Sequence, residues 1–122
     1  MALSSNNCQT DFNSVIVQTS ATTTADNNIL TDTTGSVYTI VLDNSSGSGI
    51  AYLKLYDTKE ATHGTTEPVL VTQVAASTVT TVQCASGFAF ATALSTAAST
   101  SGGTGSGGAS PSGTFKYTIF GS

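Results

Sequence analysis

Residues able to do chemistry are few in this chain of 122, and they are scattered. The single histidine, His63, lies in the run HGTTEP, flanked by Glu60 and Glu67. Nucleophilic catalysis needs a nucleophile, a base and an orienting acid held together from separate elements. Both glutamates belong to the same loop as His63, so the spacing predicts a plain surface histidine. Asp26, Asp32, Asp43 and Asp57 fall at the predicted ends of strands, where aspartate stabilises turns through local hydrogen bonds. A glycosidase would need two acids facing each other across a cleft. A calcium site could use turn aspartates and backbone carbonyls, but neither an EF-hand nor a tandem Asp-Gly pattern is present. The sequence therefore predicts no catalytic residue, no metal ligand and no cofactor site.

Three other features could carry chemistry. Cys8 and Cys84 are too far apart for a metal knuckle or a CxxC redox pair. They read as free structural thiols, with a disulfide tying the N-terminal arm to the body as the competing arrangement. The run GGTGSGGASPSG, residues 102–113, has the glycines of a phosphate loop but lacks its lysine and opens no helix pattern. Tyr52, Lys54 and Tyr56 share one face of an alternating strand, and the two tyrosines could stack a sugar or pack against a partner. These three are the candidate partner-contact residues.

The elements that must carry these residues are short and β-rich. Ser36 to Leu42 (SVYTIVL) is apolar on both faces, as a central strand is, with Val37 and Val41 on one side and Tyr38, Ile40 and Leu42 on the other. The turn-forming run DNSSGSG, residues 43–49, predicts a hairpin into Ile50 to Asp57 (IAYLKLYD). There Ala51, Leu53 and Leu55 should face inward and the Tyr52, Lys54, Tyr56 side outward. Thr58 to Pro68 carries three of the ten charged residues and reads as a solvated excursion. Phe12 to Thr19, Val69 to Val74, Thr78 to Val82 and Phe88 to Leu94 are further strand candidates. For the last of these, a short helix through Ser99 is the alternative, because of its alanines. Ser20 to Asn28 reads as a connection. Residues 100–113 have the composition of flexible coil, and in the final strand Phe115, Tyr117 and Ile119 face one way.

Seven or eight short strands separated by turn signals predict an all-β, single-domain antiparallel β-sandwich of jelly-roll-like form over residues 12–122, preceded by a polar arm at 1–11. Leu, Ile, Val and Phe supply 26 residues, enough for one core, while Ser and Thr fill 40 positions. Three lysines, no arginine and a net charge of -4 argue against nucleic acid, whose phosphates demand clustered cations. No apolar stretch approaches the roughly 20 residues of a membrane span, and the N-terminus lacks the basic and apolar regions of a signal peptide.

The runs VYTIVLDNSSGSGIAYLKLYD, EPVLVTQVAAS and SGFAFATALSTAAST, within residues 36–101, resemble small structural proteins of tailed bacteriophages. Asp43-Asn44, Tyr52 with Lys54-Leu55-Tyr56-Asp57, Pro68-Val69-Leu70 and Gly87 through Leu94 carry the resemblance. It rests on strand and turn residues, so it implies a scaffold and transfers no site. The implied protein is non-enzymatic, made in the host cytoplasm and placed on the virion. It would be a capsid decoration (cement) protein that binds the major capsid protein lattice as a homotrimer. A tail or baseplate component contacting other virion proteins is the alternative. A carbohydrate-binding module is a third reading, weakened by the absence of tryptophan.

Overall fold

A computed structural model describes residues 14–30, 35–103 and 108–122. The expected N-terminal arm, Cys8 and Asp32 lie outside the described residues. Eight strands follow one another: β1 Ser14–Gln18, β2 Asp26–Leu30, β3 Gly35–Asp43, β4 Ala51–Asp57, β5 Leu70–Val74, β6 Val79–Phe90, β7 Leu94–Ser99 and β8 Lys116–Gly121. They form two four-stranded antiparallel sheets, ordered β1-β8-β3-β6 (sheet I) and β2-β7-β4-β5 (sheet II). The fold is all-β, a small sandwich with one core between its layers.

Strand pairing is nested. β1 pairs with β8, β2 with β7, β3 with β6 and β4 with β5, as though one long hairpin had been rolled up. Consecutive strands therefore lie in opposite sheets, with β4 and β5 the one exception. This corrects the hairpin expected between Ser36–Leu42 and Ile50–Asp57, since β3 belongs to sheet I and β4 to sheet II. The DNSSGSG segment bridges the layers instead. Asn44 makes that bridge: wholly buried, it donates through Nδ2 to the carbonyls of Gly49 (2.9 Å) and Ala75 (3.1 Å). Gly47 is needed beside it, because a Cβ there would collide with the Asn44 amide. Asn44→Ala strands both carbonyls, and a loss of about 2 kcal/mol is expected in urea unfolding.

The core is built where strand alternation points the apolar residues inward. Sheet II contributes Ala51, Leu53 and Leu55 of β4, Val74 of β5 and Leu94 and Ala98 of β7. Sheet I contributes Val37, Ile40 and Leu42 of β3 and Tyr117 and Ile119 of β8, with Phe115 just ahead of that strand. β8 sits between β1 and β3, so the last strand fills the centre of its sheet. Between the sheets, the Tyr117 and Thr96 hydroxyls are 2.5 Å apart. Burial is the main reason that the Tyr117 pKa is pushed up to about 12, so the phenol remains neutral.

Irregularities in three strands depart from the sequence expectation. Val37 is buried together with Ile40 and Leu42 rather than paired with Val41, because the register of β3 against β6 and β8 shifts between Val37 and Thr39. One extra residue at a bulge reverses the alternation. On β6 the same shift passes four residues between Gln83 and Phe88, and ends at Gly87, whose φ of +81° and close approach to Tyr38 both require glycine. The segment Phe88 to Leu94 is neither one strand nor a helix. It breaks at residues 91–93, leaving Phe90 as the end of β6 and Leu94 as the start of β7. β2 begins within the run expected to be a connection, residues 20–28, and ends beyond it, because Asp26 and Leu30 pair with Thr96 and Leu94. Available ladder partners on β7 outweigh the poor strand propensity of Asp and Asn.

Candidate functional site

The residues with chemical potential gather around β4. Asp57, at its end, accepts hydrogen bonds from the amides of Ala91 through Oδ2 (2.9 Å) and of Thr92 and Ala93 through Oδ1 (2.7 and 3.4 Å). This carboxylate organises the turn that separates β6 from β7. Partial burial raises its pKa, but the three amides outweigh that and hold the carboxyl below its ordinary range. An open depression of about 450 Å³ is lined by Gly35, Ser36, Asp57, Ala89, Phe90 and Ala91. Both oxygens of its one acid are already engaged by backbone, so it offers no free base.

The Tyr52, Lys54, Tyr56 face does not meet solvent as expected. Tyr56 and Lys54 are both 0 % exposed, while Tyr52 is half-buried with its ring against Gly102. The cause is the connection between β4 and β5, residues 58–69, which folds back over the outer side of sheet II instead of projecting into water. Ala61 of this segment joins Tyr56 and Ala97 in a second small core, with Ala25 packed against it. Its backbone is tied to neighbouring strands by Ala61 N–H donating to Asn27 Oδ1 (2.8 Å) and by Ser95 Oγ donating to the Thr58 carbonyl (2.6 Å). The exposed partner-contact face expected from β4 is therefore corrected: Tyr52 alone of the three has access to the surface. A two-tyrosine sugar platform does not exist, because the Tyr56 ring is covered.

Beneath this segment Lys54 Nζ lies 3.1 Å from His63 Nε2. An ammonium has only donors, so it donates and the neutral imidazole accepts. His63, expected as a plain surface residue, is thus the partner of a buried amine. Burial lowers the Lys54 pKa. His63 is lowered by burial first and by the Lys54 charge second. Close by in the same small core, burial raises the pKa of Tyr56, whose hydroxyl has no hydrogen-bond partner among the described residues. An amine beside an imidazole is a nucleophile-and-base pair in principle, but this amine has no accessible surface through which a substrate could reach it. Nothing in the sequence signalled the pairing, since the two residues are nine apart across a strand and its connecting segment.

Asp43 accepts from the Ser45 side chain and backbone, which lower its pKa. Cys84 is a free thiol. No group of three His, Cys, Asp or Glu able to hold a metal ion occurs among the described residues. The glycine-rich stretch expected as free coil is tethered on both flanks: Thr100 N–H donates to the Ala109 carbonyl (2.9 Å), and Ser112 Oγ accepts from Ser48 N–H (2.9 Å).

The outer face of sheet I is different. Val15 and Val17 of β1 are 55 % and 62 % exposed, and Val79 of β6 is 56 % exposed. Cross-strand register aligns Val15 with Phe120 and Thr39, and Val17 with Thr118 and Val41. The charged residues of this face, Lys116 and Asp43, are paired opposite each other. The surface is thus apolar and threonine-rich, with its two opposite charges side by side.

These features define a small two-layer β-sandwich in which Asp43, Asp57 and the Lys54–His63 pair hold turns and the covering segment in place. No protein-family model and no curated protein matches the chain.

Proposed function

We propose that this chain is a non-enzymatic structural protein of a phage virion, a capsid decoration protein that binds the assembled lattice of the major capsid protein and strengthens the head. The nested pairing of β1 with β8 through β4 with β5 carries this reading. It is the strand order of a jelly roll, an architecture that recurs in viral capsid proteins. That step is an analogy of fold, and it is joined by the phage-like runs in residues 36–101. The outer face of sheet I supplies a surface suited to lattice contact, with exposed valines and little net charge. A homotrimer at a symmetric lattice position is the assembly that fits, because many copies binding together need only modest contact energy each.

Quantitative mass spectrometry of purified particles tests the placement: a copy number near that of the major capsid protein is expected. A handful of copies per particle points instead to the tail or baseplate. The surface is tested by a Val15→Asp, Val17→Asp double variant. Both positions face away from the core, so melting should be nearly unchanged, while cosedimentation with capsids should fall at least tenfold, since each new carboxylate must be desolvated at the contact. Undiminished binding would move the contact to another face.

A further inference from the structure

The connection over sheet II is held down by an unusual arrangement: a wholly buried lysine whose hydrogen-bond partner is an imidazole rather than a carboxylate. With Lys54 protonated and His63 neutral, the pair carries one positive charge. We infer that residues 58–69 form an acid-released cover: protonation of His63 places a second cation 3.1 Å from the Lys54 amine, and the segment lifts to uncover Tyr56, Ala61 and Ala97.

The surroundings offer little to neutralise a second charge. β5 (LVTQV) and β7 (LSTAAS), which flank β4, contain no titratable side chain. From β2 the acid is Asp26, which already accepts a hydrogen bond from Gln18. On β4 the neighbours are Tyr52 and Tyr56, and Asp57 is engaged with the turn at 91–93. On the segment itself, Glu60 and Glu67 are exposed, and Lys59 is a further cation. The backbone ties of the segment to the strands, Ala61 to Asn27, Ser95 to Thr58 and Val69 N–H to the Leu55 carbonyl (2.8 Å), do not titrate. The Lys54–His63 contact is therefore the tie through which protonation acts on the cover. Because the closed state holds the His63 pKa below its ordinary 6.5, the open state binds the proton more readily. Opening is thus favoured as pH falls below about 6.5, by up to about tenfold per pH unit, until the closed-state pKa is reached.

Hydrogen exchange of the full chain, read by mass spectrometry between pH 7.5 and 5.0 and corrected for intrinsic rates, tests this. Protection of the 58–69 amides should fall with pH while that of β3 and β8 stays constant. His63→Gln retains an acceptor for Lys54 and cannot be protonated, so its segment should stay protected across the range. Lys54→Met keeps the buried stem without its charge and should weaken the response, leaving the part that burial of the imidazole causes, which preserves the test if the first variant does not fold. A wild-type profile without pH dependence, or one that His63→Gln and Lys54→Met both reproduce, overturns the inference.

Discussion

Ile119→Ala is expected to lower the unfolding free energy by about 3 kcal/mol, and with it the melting temperature by about 10 °C. Ile119 has no exposed surface. It stands in the middle of a row that crosses sheet I from Ile16 through Ile119 and Ile40 to Val82. Truncation removes buried methylenes and leaves a cavity, because the strands on either side are fixed by their ladders and cannot close on it. Domains of this kind have roughly 5–15 kcal/mol of stability in total, so one such change consumes a large part. Val17→Ala in the neighbouring strand, on the exposed side, should change stability by less than about 0.5 kcal/mol. Equal losses at the two positions in urea titration would contradict the sidedness of sheet I.

Asp57→Ala should cost about 2–3 kcal/mol, through a different mechanism. Its carboxylate is the acceptor for three consecutive amides, and those amides form the turn that carries the chain from sheet I to sheet II. Removing it leaves Ala93, a buried residue, with its N–H unsatisfied. Asp57→Asn should fall between, since one oxygen still accepts but the charge is gone. The pH dependence has a definite sign. The folded protein holds this carboxyl below its ordinary pKa of 3.8, so its stabilisation is complete above that value and is lost as pH falls through the folded-state pKa. The difference between wild type and Asp57→Ala, measured by urea unfolding, should therefore be large at pH 7 and shrink towards pH 3. A constant difference would mean that the turn is held by something other than the ionised acid.

Much of the framework was legible in the residues. The apolar run SVYTIVL and the two-period patterns of AYLKLYD and FKYTIF identify three strands, and the inward placement of Leu53 and Leu55 and the shared side of Tyr117 and Ile119 follow from alternation and hydrophobicity alone. The placement of Asp43 and Asp57 at strand ends also held. The broken run FAFATAL was harder: alternating Phe and Ala fits one strand, but a distant carboxylate supplies three acceptor contacts that stabilise a turn in its middle. The shift in β3 was equally invisible, because a bulge is set by the partner strand as much as by the strand that carries it.

By itself the sequence determined that the chain is all-β, that it holds enough apolar residues for a core, and that the Ala51, Leu53, Leu55 side of β4 lines it. Those properties are local: side-chain type and a period of two fix them wherever the strand ends up. Partner choice is not local. That β3 and β4 lie in different sheets, and that residues 58–69 bury Lys54 and Tyr56 and set His63 against the amine, was decided by tertiary structure. Alternation says which face a side chain points to, but only the folded chain determines whether that face meets water or another segment.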